Sequence, residues 1–158
     1  FDFEATAEGA EWIDAIATAA RDQMAVGQLV IAHGDWSARN VRLGPAGLTC
    51  VYDWESVQVL PEPTAVGIAA ATWRAIGAAD EPLAPTANEI QEYVERYAAA
   101  CGRPFGAVAR RAAHAAAVYC LAYTARCEHA LTPGTTTGRA TGRLTDDGLG
   151  SLLRDVGG

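Results

Sequence analysis

Two short stretches of the chain carry residues that suit one chemistry. In VIAHGDWSARNVRL (30–43) an apolar run ends at His33-Gly34-Asp35, and Asn40 follows five residues after that aspartate. In VYDWES (51–56) a second apolar pair ends at Asp53. Hard divalent cations such as Mg²⁺ take oxygen ligands, and Asn40 and Asp53 can supply two, the rest coming from phosphate and water. Asp35 is then left to accept a proton from a hydroxyl. Positioning a nucleophile, holding a metal and neutralising a phosphate are what phosphoryl transfer requires. Each residue alone reads as an ordinary turn or strand-end cap, but three such caps at this spacing are a poor joint explanation.

For the three to meet, the chain must bring the two stretches together. NVRL (40–43) and LTCVYDW (48–54) flank GPAG, whose Gly44-Pro45 and Gly47 give turn chemistry, so a β-hairpin is expected with its second strand ending at Asp53. Antiparallel pairing sets the start of one strand beside the end of the other, which brings Asp35 and Asn40 to Asp53. The apolar run 28–32 before the motif reads as a buried strand or a lead-in to the loop.

The rest reads as helix. Residues 8–26 carry Trp12, Ile13, Ile16, Ala19, Ala20 and Met24 at helical spacing, with Gly27 as a stop. PEPT (61–64) reads as a proline-punctuated loop, followed by an Ala-rich helix over 65–78 with Val66, Ala69, Ala70 and Trp73 along one side, and then a linker. Thr86 and Glu89 spell a capping box before a helix reaching Cys101, with Ile90, Tyr93, Val94, Tyr97 and Cys101 as its apolar stripe. Pro104 starts a helix to about 130 that is apolar on most faces and therefore central. The Thr/Gly-rich stretch 132–145 reads as a flexible loop, and 146–158 as a short helix and tail.

The totals limit the partners. The 158 residues are about one domain's worth and half are hydrophobic, enough for a core. A net charge of -7 argues against nucleic acid or an anionic membrane and is compatible with a cationic ligand. There is no apolar run of membrane-spanning length and no leader pattern, so a cytoplasmic location is expected. Cys50, Cys101, Cys120 and Cys127 form no C-x-x-C pair and read as buried free thiols. All 12 basic Lys/Arg positions are arginine. A mechanism that needs a lysine is therefore incomplete within these residues, and the start at Phe1 leads us to expect a further segment upstream.

HGDWSARN followed by VYDWE resembles the catalytic loop and metal-binding segment of the aminoglycoside phosphotransferase and choline kinase-like family, small-molecule kinases with a protein kinase-like fold. YVERYAAACGRPF (93–105) resembles the connection between helices in that family's helical lobe. The similarity covers roughly residues 10–130. It implies a mainly α (α+β) chain, the helical C-terminal lobe of the kinase-like fold over 1–131, with one small hairpin carrying the catalytic loop. It implies Asp35 as catalytic base, Asn40 and Asp53 as Mg²⁺ ligands, and His33 as a brace of the loop. ATP, or GTP, would be the phosphate donor and a small-molecule hydroxyl the acceptor. The family's glycine-rich strand-loop and phosphate-gripping lysine belong to an N-terminal lobe expected upstream, without which these residues are expected to be inactive. One departure concerns PEPTAVGIA, which has Val66 where the family carries an Asp that braces the loop.

Other residues read less sharply. Trp54 is expected in the core. Glu55 is weighed evenly between an acceptor contact and a supporting hydrogen bond. Arg39 reads as solvated or loop-bracing, the Tyr93/Tyr97 pair as core, and His114 as a helix-face residue. His129 sits at a helix C-terminus favoured by the dipole. Glu128, Asp146, Asp147 and Asp155 read as acidic surface. Two other functions compete with the kinase: a catalytically incomplete kinase-like module that regulates or binds a partner, and, last, a metal-dependent phosphoesterase, which three histidines are too few to suit.

Overall fold

The computed structural model describes residues 1–75, 84–134, 138–145, 149–150 and 152. The chain is mainly helical with two small antiparallel sheets. In order come α1 (Glu11–Met24), β1 (Leu29–His33), β2 (Val41–Gly44), β3 (Gly47–Val51), β4 (Val57–Pro61), α2 (Glu62–Thr72), α3 (Ala87–Ala100), α4 (Ala107–Leu131) and α5 (Arg139–Leu144). Among the described residues no helix is long and apolar enough to cross a membrane.

Helix α4 is the hub, packing against α1, α2, α3 and α5. Its alanines make this possible, since Ala112, Ala113, Ala115, Ala116 and Ala117 are buried and let neighbouring axes close in. The approach is tightest at Gly67 on α2, where a Cβ would strike the Ala113 carbonyl oxygen and lie 2.8 Å from the Ala116 Cβ. On α1 the buried stripe is Ile13 and Ala20, with Ile16 and Ala17 packed beside them. Trp12 and Ala19, expected on that stripe, are exposed. The capping box of α3 forms as expected: Glu89 N–H donates to Thr86 Oγ1 at 3.2 Å, and Thr86 N–H to Glu89 Oε2 at 2.8 Å.

Several expectations are corrected. The β component is two sheets, not one hairpin, because Val57–Pro61 pairs with Leu29–His33, His33 lying opposite Val57. PEPT is not a loop. Helix α2 begins at Glu62, and Pro63 fits its first turn, where a missing N–H costs nothing. Residues 104–106 are not helical, and α4 starts at Ala107 after Gly106. Within the expected flexible loop, residues 139–144 form α5, with Ala140, Thr141 and Leu144 buried. Glu128 is no plain surface acid: its carboxylate accepts the N–H groups of Ala140 and Thr141, both at 3.0 Å, at the start of α5. Asp146, Asp147 and Asp155 lie outside the described residues. All four cysteines are free, but Cys101 is exposed and the others only half-buried. The expected hairpin is present as β2 and β3, with Val41 opposite Val51. A bulge between Arg42 and Leu43 leaves Thr49 as the extra residue, its hydroxyl donating to the Arg42 carbonyl at 3.0 Å.

Candidate active site

The β1–β4 ladder delivers the HGD turn. It extends one bond past β1, where Gly34 N–H donates to the Ser56 carbonyl at 2.8 Å. A Cβ on Gly34 would sit 2.9 Å from that oxygen and collide with the Gln58 side chain, so the turn needs glycine for space, not for its backbone angles. His33 braces the turn from both ring nitrogens. Nδ1 accepts Asp35 N–H at 3.3 Å, which leaves Nε2 as the donor to the Tyr52 carbonyl at 2.8 Å.

Asn40 closes the loop. Its Nδ2 donates to the Asp35 carbonyl at 2.8 Å and to Asp35 Oδ2 at 3.0 Å. Both partners are acceptors, which fixes the amide orientation and turns Oδ1 away from them. Asn40 is buried. Its carbonyl accepts Tyr52 N–H at 2.8 Å. Tyr52 is thus gripped at both its backbone polar groups, by Asn40 at the N–H and by His33 at the carbonyl, and the next residue is Asp53. This double grip unites the two sequence motifs.

Asp53 is the only non-glycine at positive φ among the described residues (φ 61, ψ 47). Asp tolerates this region better than most side chains. Ser56 holds the conformation, donating its hydroxyl to Asp53 Oδ2 at 2.8 Å and its N–H to the Asp53 carbonyl at 3.1 Å. The strand β3 ends two residues before Asp53, so the acid sits on the turn leaving the hairpin rather than at the strand end.

The C-terminal end of α2 supports the loop from behind. Thr72 Oγ1 shares its proton between the Ile68 carbonyl at 2.9 Å and the Trp36 carbonyl at 3.2 Å, Ala38 N–H donates to the Trp73 carbonyl at 2.9 Å, and the Trp36 and Trp73 rings stack at 6.3 Å. Val66, where a bracing acid was missing, is instead buried among Val94 and Ala113. Arg39 pairs directly with Asp35, Nη2 to Oδ2 at 2.7 Å. Trp54 is 63% exposed, which corrects its assignment to the core, and its indole N–H donates to the Val51 carbonyl. Glu55 is exposed on the same 3-10 turn. Tyr93 and Tyr97 are half-buried and pack against the core as expected, and His114 is a half-buried position on α4. His129 is buried in the last turn of α4 with Nε2 3.0 Å from the Glu8 carbonyl. Beneath the loop, burial pushes the Cys120 thiol up to about 12, and the charge of Asp35 adds to the effect.

The donor set fits a hard cation. Asn40 Oδ1 and the Asp53 carboxylate are oxygen donors on adjacent turns, and among the described residues there is no cluster of three or more His, Cys, Asp or Glu side chains able to hold an ion alone. Residues that sequence reasoning missed are Ser56, Thr72 and the backbone of Tyr52 and Trp73. Only Ser56 had a local signal, as a hydroxyl three residues after an acid. No family model matches this chain, and neither the curated proteins nor the solved structures searched include a match to it.

Proposed function

We propose that the chain is the catalytic, acceptor-binding lobe of a phosphotransferase of protein kinase-like fold, moving the γ-phosphoryl group of ATP or GTP to a hydroxyl of a small molecule. One observation carries this reading: the Tyr52 backbone, held by Asn40 and His33, sets Asp53 beside a loop on which Asp35 and Asn40 already touch. Two carboxylates and an amide on neighbouring turns are the residue types that phosphoryl transfer uses.

The roles follow from which atoms are committed. Asp35 Oδ2 accepts from Arg39 and Asn40, and among the described residues Oδ1 accepts nothing. Oδ1 takes the proton as the acceptor oxygen forms its bond to phosphorus and the bond from phosphorus to the nucleoside diphosphate oxygen breaks. Asn40 Oδ1 and Asp53 would hold Mg²⁺, which would supply charge neutralisation at the phosphate oxygens. His33 keeps the two turns in register. These residues contain no lysine to grip the phosphates, so on this reading they do not supply that grip.

The test is turnover of Mg²⁺-ATP and Mg²⁺-GTP by the intact gene product against amino sugars, amino alcohols, sugars and neutral alcohols. Asp35→Ala should lower the rate by at least about a hundredfold while nucleotide binding persists. Asn40→Ala and Asp53→Ala should raise the Mg²⁺ concentration needed for half-maximal rate. An intact protein that neither binds nor hydrolyses either nucleotide would sink the enzyme reading in favour of a kinase-like binding module.

A further inference from the structure

His33 and Trp36 flank Asp35 in sequence, and both line an open groove of about 500 Å³ reaching from β1 across α2 to α3. Trp54, Tyr93 and Tyr97 line it as well, with Val30 and Val66 among the aliphatic contributors.

The groove has little polar capacity to offer a ligand. The Trp54 indole N–H is given to the Val51 carbonyl. Both His33 nitrogens are engaged in bracing the loop. The only carboxylate in the lining is Glu62, and it is 6% exposed. Its Oε1 accepts the Tyr97 hydroxyl at 2.8 Å and Arg103 Nη2 at 2.7 Å, and its Oε2 accepts Arg103 Nη1 at 3.1 Å. A guanidinium that forks both oxygens spends the acid's charge. An incoming cation finds no uncommitted carboxylate among the described lining residues. What remains is ring faces and aliphatic surface, which favour burial of apolar area.

We propose that this groove binds the phosphate acceptor, and that the acceptor is a neutral, planar, largely apolar alcohol rather than a polycationic amino sugar or amino alcohol. The inference rests on the phosphotransferase reading for the acceptor role and on the groove itself for the ligand class. The hydroxyl enters at the His33–Trp36 end, nearest Asp35, and the ring system lies between Trp54 and the α3 tyrosines.

The experiment uses the intact gene product and a matched pair of probes, 2-naphthylmethanol and the cationic 2-naphthylmethylamine. Calorimetry reads binding, and mass spectrometry reads naphthylmethyl phosphate formed with Mg²⁺-ATP. The alcohol should bind about tenfold tighter than the amine or better, and should be phosphorylated. Trp54→Ala should weaken it about tenfold. Ile31→Asp, at an 81% exposed position on the groove wall, should do the same without threatening the core. Equal or tighter binding of the amine, no binding of the alcohol, or indifference to both substitutions overturns the proposal, even if ATP turnover with another acceptor upholds the phosphotransferase. Alcohol binding by a protein that neither binds nor cleaves ATP or GTP overturns the acceptor role together with the phosphotransferase reading.

Discussion

Arg39 Nη2 lies 2.7 Å from Asp35 Oδ2, and Asn40 Nδ2 reaches the same oxygen at 3.0 Å. Two donors on one oxygen orient the carboxylate, and among the described residues the other oxygen accepts nothing. On the proposed phosphotransferase reading, Arg39 is a positioning residue for the base. Its side chain is half exposed, so the pair adds little to stability. In the intact protein, Arg39→Ala should lower kcat about tenfold and change the acceptor KM less than about twofold. Arg39→Lys, which can still make the single contact, should recover most of the rate, and added guanidinium should partly rescue the alanine variant. Steady-state kinetics decide this. Equal losses in the lysine and alanine variants, with no rescue, would reduce Arg39 to a surface residue.

The Glu62–Arg103 pair is lopsided, with the carboxylate buried and the guanidinium side chain 61% exposed. Removing Arg103 strands a buried charge, whereas removing the charge of Glu62 frees a cation into water. Arg103→Ala should therefore lower stability more than Glu62→Gln does. Urea unfolding measures both, and the order of the two losses is the content of the prediction.

Alkaline pH should loosen the fold through protons held inside it. The Cys120 thiol is raised from its ordinary 9.0 to about 12 by burial and by Asp35, so the folded chain keeps a proton that the unfolded chain loses. The stabilising contribution is whole below pH 9 and falls as pH climbs from 9 towards 12, by up to about 1.4 kcal/mol per unit. Burial raises Tyr93 and Tyr97 as well, so the loss steepens above 10. Stability measured at pH 8, 9.5 and 10.5 should drop in that order. Cys120→Ala should flatten the slope between pH 9 and 10, and an unchanged slope would contradict the thiol's part in it.

Gly67 faces the α4 backbone with no room for a methyl group. Gly67→Ala should destabilise by about 2–3 kcal/mol despite its better helix propensity, because neither Ala113 nor Ala116 can yield without moving α4. A thermal melt showing stabilisation would mean the two helices are free to separate.

The site was more legible in sequence than the scaffold around it. That Asp35 and Asn40 share a loop beside Asp53 could be read from their short spacing, and Gly44, Pro45 and Gly47 marked the hairpin that joins the two stretches. Strand β4 was not readable, since Val57 and Val59 give only a short alternation and their partner lies across two turns and a hairpin. Pro61 and Pro63 looked like loop punctuation because proline marks loops and first helical turns alike. Trp12 and Trp54 show the limit of residue type as a guide to burial: both are large and apolar, and both lie on exposed faces. Arg39 could be placed near Asp35 by spacing alone, but no local rule said that it would take the base's oxygen.

The bulge at Thr49 has a consequence for how this site tolerates change. Register between β2 and β3 is reset there, between the turn at Gly44–Gly47 and the Val41–Val51 pair that abuts Asn40 and Tyr52. Slack in the turn is taken up before it reaches the reacting groups, much as an expansion joint isolates one span of a bridge from the next. The hairpin tip is thus free to lengthen, shorten or acquire new side chains while the spacing between Asn40 and Asp53 stays fixed, which makes it the natural place to tether a label or graft a sequence.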